Sequence, residues 1–160
     1  MLNAYAERYR RDLRESVIPF WLNHSLDRQH GGYFTCLDRD GTVYDTKKYV
    51  WLQGRAVWMF SRLYNELEHD ERFLDAAKLG LGFMRRFGRD PQGRVYFSLT
   101  REGAPYFFQR KSYGAVFYML GLLEYGKATN DQSCLDEAIE LFWRCVEWIE
   151  TPALLDRPAH

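Results

Sequence analysis

KYVWLQGRAVWMF, residues 48–60, is apolar at nearly every helical position, yet it carries a permanent cation, Arg55, between Gly54 and Ala56. A helix that is apolar on all sides belongs in an interior. An unpaired guanidinium there is strongly disfavoured, so Arg55 requires a carboxylate, a wet hollow or a polar ligand. Glu66 on the same helix could supply the carboxylate. A hollow is the other reading, and the planar fork of donors suits the oxygens of a polyhydroxylated or anionic ligand.

The helix holding this run is expected over residues 46–68. A first helix, residues 3–24, shows apolar spacing at Tyr5, Tyr9, Leu13, Val17, Phe20 and Trp21, with Pro19 kinking its last turns. Between the two, HGGYFTCLDRDGTVYD reads as a hairpin turning at DRDG. A third helix spans residues 70–87, with Asp70 as N-cap and Gly88 near its stop. RVYFSLTREGAPYFF is a second hairpin. A fourth helix, residues 110–129, is again apolar nearly all round. The fifth, residues 131–150, carries a stripe at Leu135, Ile139, Phe142, Val146 and Ile149. Residues 151–160, with two prolines, read as a loop or linker tail.

That order repeats. CLDRDGTVY aligns with SLTREGAPY, placing Gly41 on Gly103, 62 residues apart; FLDAAKL aligns with CLDEAIE at a spacing of 61, Leu74 on Leu135. Two separate segments with nearly one period mark tandem helix pairs. The first, third and fifth helices have a polar face and belong outside; the second and fourth belong inside. An inner ring of buried helices within an outer ring is an α/α toroid, so the fold class is all-α with short β-hairpins between outer and inner helices. Residues 1–150 form the N-terminal part of such a barrel, and a closed six-unit ring needs about 370 residues. Under the same period Trp51 falls on Tyr113, two aromatic side chains opening inner helices at one level.

Composition excludes several classes. Lys+Arg and Asp+Glu are both 22, interspersed, so no single-sign field points to nucleic acid or a membrane surface. No apolar run has transmembrane or signal-peptide length. Cys36, Cys134 and Cys145 form no CxxC pair, which indicates neither zinc nor a disulfide framework and fits a reducing, cytoplasmic location. His24, His30, His69 and His160 lie on no inner helix and form no metal pattern. The aromatic supply, 11 Phe, 11 Tyr and 5 Trp, serves cores and ligand-stacking walls alike.

FWLNHSLDRQHGGYFTCLDRDG and KYVWLQGR resemble the N-terminal part of the N-acylglucosamine 2-epimerase (renin-binding protein) family. The resemblance implies an (α/α)6 barrel and interconversion of N-acetylglucosamine and N-acetylmannosamine by proton removal and return at C2, with paired histidines as the bases. It assigns Arg55 to the pocket near sugar O1 and O2, as a catalytic and substrate-binding group that stabilises charge developing on oxygen. Tyr113, and less directly Trp51, match sugar-contacting aromatics. No required cofactor or metal is implied; ATP or another nucleotide is an activator in N-acetylglucosamine-specific members, and family members form homodimers. The family's catalytic histidines lie on later inner helices, and none of the four histidines here matches them, so the 160 residues alone are expected to be inactive. Within the fold the alternative is an aldose–ketose isomerase. Outside it stand a glycoside hydrolase, which requires two facing carboxylates among Glu66, Glu68 and Glu124, and a non-enzymatic binding module.

Overall fold

The computed structural model describes residues 2–156. Six α-helices alternate with two hairpins: α1 (Leu2–Asp12), α2 (Ile18–His24), β1 (Cys36–Leu37), β2 (Val43–Asp45), β3 (Lys48–Tyr49), α3 (Val50–Glu66), α4 (Glu71–Phe87), β4 (Ser98–Leu99), β5 (Pro105–Phe107), α5 (Tyr113–Thr129) and α6 (Gln132–Glu150). The two inner helices, α3 and α5, pack most extensively on each other; α4 covers α3, and α6 covers α5. These are two neighbouring units of an α/α toroid, as the repeat predicts.

Several boundaries differ from the sequence reading. The first helix is broken by a π turn, Leu13–Val17, in which the Ile18 amide donates to the Leu13 carbonyl. Pro19, two residues past its end, has no N–H and crowds the carbonyl four residues back, and the widened turn absorbs that conflict. The second helix begins at Val50, not at residue 46. Lys48 and Tyr49 are drawn into a strand opposite Leu99 and Ser98, so β3–β4–β5 is a three-stranded antiparallel sheet joining one unit to the next. The fourth helix starts at Tyr113 rather than residue 110. Asp70 caps α4 as expected, accepting from the Arg72 amide. The DRDG turn also forms as expected, with Gly41 at φ +89°.

The tail is not a free linker over its described part. Pro152–Leu155 forms a 3-10 turn, Leu155 is buried, and Asp156 pairs with Arg94 at 2.6 Å. Residues 157–160, with His160, lie outside the described residues.

The stripe assigned to the fifth helix is also corrected. Cys134, Ala138, Leu141, Cys145 and Trp148 face the core, whereas Ile139, Phe142 and Ile149 are exposed. The helix carries two adjacent apolar stripes, and periodicity alone does not say which one meets α5. Burial pushes the Cys134 and Cys145 thiols up to about 11, so neither is a nucleophile at neutral pH.

α3 and α5 meet backbone to backbone. A Cβ on Gly54 would come within 2.6 Å of the Phe117 carbonyl, and one on Gly121 within 3.0 Å of the Gly54 oxygen. Lower down, Asn65 donates to the Glu124 carboxylate at 2.7 Å, fixing the same pair of helices.

A buried ion cluster holds the hairpin end. Lys48, fully buried, donates its three ammonium protons to Asp27, the Gly31 carbonyl and the Arg101 carbonyl. Asp27, also buried, accepts from Arg101 at 2.9 and 3.2 Å and from the amides of Gln29 and His30. The Lys48 ammonium and both Asp27 oxygens are fully matched, which is the condition under which buried charge is tolerated. Burial alone would raise the Asp27 carboxyl; the hydrogen bonds from Arg101 and Lys48 outweigh it and hold the group well below the usual carboxylate range.

Gly54→Ala should destabilise the chain by about 1–3 kcal/mol through overpacking, although alanine gains up to about 1 kcal/mol in helix propensity; urea unfolding reads the difference. Lys48→Met should cost about 3–5 kcal/mol, because it strands the Asp27 charge. Asp27 has a lowered folded value, so its contribution is complete above its unfolded value near 3.9 and is lost as pH falls below it. Urea midpoints between pH 7 and 2 should therefore fall less steeply for Asp27→Asn than for the parent.

Candidate active site

The segment WLQGR, residues 51–55, divides its tasks by helical position. Gln53 is fully buried and clamps the chain before β1: its amide nitrogen donates to the Tyr33 carbonyl at 2.9 Å, and its oxygen accepts from the Tyr33 amide at 2.7 Å. Gly54 permits the α5 crossing. Trp51 and Arg55, one turn apart, share a face. Gln53 and Gly54 thus fix the turn of helix from which Trp51 and Arg55 project.

Arg55 is exposed and, among the described residues, makes no ion pair. Glu66, the carboxylate considered from the sequence, pairs instead with Arg62 at 3.6 Å. The expectation of an all-round buried helix is corrected here: α3 leaves Arg55, Met59, Arg62 and Glu66 open along one side. Arg55 borders a hollow of about 310 Å³ between α1–α2 and α3. Its walls are chiefly apolar, including Leu13, Val17, Trp21, Leu52, Met59 and Leu63, with Ser25 and Thr35 as further polar groups. The Ser25 hydroxyl donates to the Trp21 carbonyl at 2.6 Å, whereas the buried Thr35 hydroxyl has no partner among the described residues. Sequence reasoning missed Thr35, because nothing local marks a hairpin threonine as buried.

The repeat puts Trp51 and Tyr113 at one level of their helices, and the structure goes further and brings the rings together, with centroids 5.9 Å apart. They do not line the Arg55 hollow. Phe117 completes their cluster, 5.9 Å from Trp51 and 5.1 Å from Tyr113. Its position one turn after Tyr113 was the available signal. Tyr113 is 55% exposed, so this cluster presents an open aromatic face at the start of both inner helices. Such a face stacks on the apolar side of a sugar ring while hydroxyls bond at its edge.

The described histidines stand elsewhere. His24 packs on Phe20, His69 stacks on Tyr64 at 4.7 Å, and His30 sits in the turn capped by Asp27. Glu124 is engaged by Asn65, and Glu68 by Arg14 at 3.3 Å, so the carboxylates a glycoside hydrolase would use are committed to helix packing. A larger hollow of about 390 Å³, between α2 and α4, contains none of Arg55, Trp51 or Tyr113.

The geometry therefore offers a cation open to meet oxygen at one hollow and, at the start of the inner helices, a separate exposed aromatic cluster; the described residues bring no pair of bases to either. The sequence profile described as N-acylglucosamine 2-epimerase (GlcNAc 2-epimerase) matches residues 32–157. The chain is 44% identical over 98% of its length to the N-acylglucosamine 2-epimerase of Mus musculus, and 43% identical to that of Homo sapiens. It spans 38% of the length of each. Cellobiose 2-epimerase from Dictyoglomus turgidum is 34% identical over 81% of the chain and 33% of that protein. Among solved structures, cellobiose 2-epimerase from Bacillus thermoamylovorans superposes with a TM-score of 0.81 at 28% identity, over 93% of this chain and 37% of that one. A D-mannose isomerase shares the fold at a TM-score of 0.72 and 21% identity, over 90% of this chain and 35% of that one. With the family profile covering most of its length and the same helix-pair toroid underneath, the chain belongs to the N-acylglucosamine 2-epimerase family.

Proposed function

We propose that the chain supplies the arginine-bearing wall of a sugar 2-epimerase that interconverts N-acetylglucosamine and N-acetylmannosamine. The observation that carries this reading is the Arg55 guanidinium, without an ion-pair partner among the described residues, on a helix turn anchored by Gln53 and Gly54 in a chain 44% identical to a named N-acylglucosamine 2-epimerase. Removing the C2 proton of the open-chain sugar leaves negative charge on the neighbouring oxygen. A bidentate cation set in a largely apolar surround stabilises that charge more than the neutral ground state. Trp51 and Tyr113 would hold the sugar face against the inner-helix ends. Return of the proton to the opposite face needs a second base. His24, His30 and His69 are placed away from Arg55, so the 160 residues by themselves form no N-acetylmannosamine. The enzyme requires no metal or cofactor, takes a nucleotide only as activator, works in the cytoplasm and pairs as a homodimer.

The test is a chimera in which residues 1–150 replace the matching stretch of the mouse relative. It should convert N-acetylglucosamine to N-acetylmannosamine, and Arg55→Ala should lower its kcat by about 10²–10³. A ketose product on chromatography would mark an aldose–ketose isomerase instead, and an Arg55→Ala chimera within threefold of parent would remove the arginine from the chemistry. Trp51→Ala should act mainly on KM, raising it by about tenfold or less.

A further inference from the structure

The groove between consecutive outer helices occurs twice in the chain, and the two copies differ. Turn aspartates set the register. Asp27 accepts from the Gln29 and His30 amides after α2, and Asp90, 63 residues on, accepts from the Gln92 and Arg94 amides after α4. The N-caps Asp70 and Asp131, 61 residues apart, align α4 with α6. Between α4 and α6, Arg85 and Arg89 both reach Glu137, each at 2.8 Å, and bridge the groove. The counterparts of these three residues between α2 and α4 are Leu22, Leu26 and Ala76. All three line the hollow of about 390 Å³. Long charged side chains thus close one groove, and shorter uncharged ones leave the other open.

The charges at the rim of this hollow fall into two groups. Arg14 pairs with Glu68 at 3.3 Å, and Arg72 is forked on Asp70. Arg28 and Asp75 are exposed at the rim, and among the described residues neither has an ion-pair partner or a side-chain hydrogen bond. One free cation and one free carboxylate therefore stand over a floor of Ile18, Leu22, Leu26 and Ala76. We propose that the hollow binds an α-amino acid with an apolar side chain. The carboxylate takes the Arg28 fork, the ammonium meets Asp75, and the side chain lies over the leucines. An arginine meets a carboxylate through two parallel charge-assisted hydrogen bonds. A ligand carrying only one of the two charges sets it beside a rim group of like sign, which is unfavourable. The apolar side chain and the floor remove each other's surface from water. The volume falls within the range of small-molecule sites, about 300–1,000 Å³. α2 separates this site from the Arg55 hollow, with Ile18 bordering both. Every wall belongs to this chain, so the site is complete without further helix pairs and is independent of the epimerase reading.

The test titrates the 160-residue chain calorimetrically with L-phenylalanine, 3-phenylpropionate and phenethylamine, which share one ring and differ in charge. L-Phenylalanine should saturate the chain at one site, and each single-charge analogue should bind about tenfold more weakly or worse. Arg28→Gln should weaken L-phenylalanine by about tenfold or more without weakening phenethylamine. Asp75→Asn should weaken L-phenylalanine without weakening 3-phenylpropionate. Both substitutions are at exposed positions, so their urea midpoints should match the parent's. The double variant Leu22→Arg, Ala76→Glu copies the bridge of the other groove and should abolish binding. Absence of saturable L-phenylalanine binding overturns the proposal. So does equal affinity for the three compounds, or parent-like binding by Arg28→Gln or Asp75→Asn. Binding of 3-phenylpropionate as tightly as L-phenylalanine overturns it in favour of a plain anion site.

Discussion

The contact between Gly54 and the backbone of α5 sets the rest of the molecule. With no side chain there, the two inner helices touch through main-chain atoms. That approach brings Trp51 to Tyr113 and Phe117, and it leaves Arg55 on the flank that α5 does not cover. A larger residue at position 54 would push the helices apart and move the aromatic cluster and the cation relative to each other. In this way a packing requirement and a chemical arrangement are encoded in adjacent residues of one helix turn.

The crossing fixes the helices, while buried polar groups fix the hairpin end. Lys48 and Asp27 are deep enough that leaving either unmatched would be more costly than any single apolar contact there. Arg101 completes the cluster from the second hairpin, so the first turn, the start of α3 and the next unit are locked to one carboxylate. Gln53 adds a reciprocal pair to Tyr33 a few residues further along. The inner-helix ends are therefore held by groups that are directional as well as apolar, which suits a wall that must keep charged and aromatic side chains at constant separation.

Arg55 contrasts with these groups. Lys48 and Arg101 are spent on structure, and Arg62 on Glu66 and Glu124. Arg55 alone among the α3 cations is left without a carboxylate among the described residues, beside walls that are mostly apolar. In open water such a charge is screened. Shielded from water, the same charge would act through a lower dielectric and its effect on a nearby anionic oxygen would grow.

The repeat of about 62 residues, the alternation of inner and outer helices, the turn at DRDG and the equivalent placing of Trp51 and Tyr113 were all determined by the sequence itself. Each depends on local periodicity or on turn chemistry, which survive in one dimension. Contacts far apart in the chain were decided only by the tertiary structure. β3 exists because Lys48 and Tyr49 meet Ser98 and Leu99, and Asp27 is buried because Arg101, 74 residues away, reaches it. Which of two apolar stripes on α6 turns inward was likewise settled by packing against α5, since both stripes carry the same period. The sequence marked Arg55 as anomalous; its place in an open hollow, free of Glu66, followed from where α1–α2 and α5 lie in three dimensions, and no spacing along one helix contains that information.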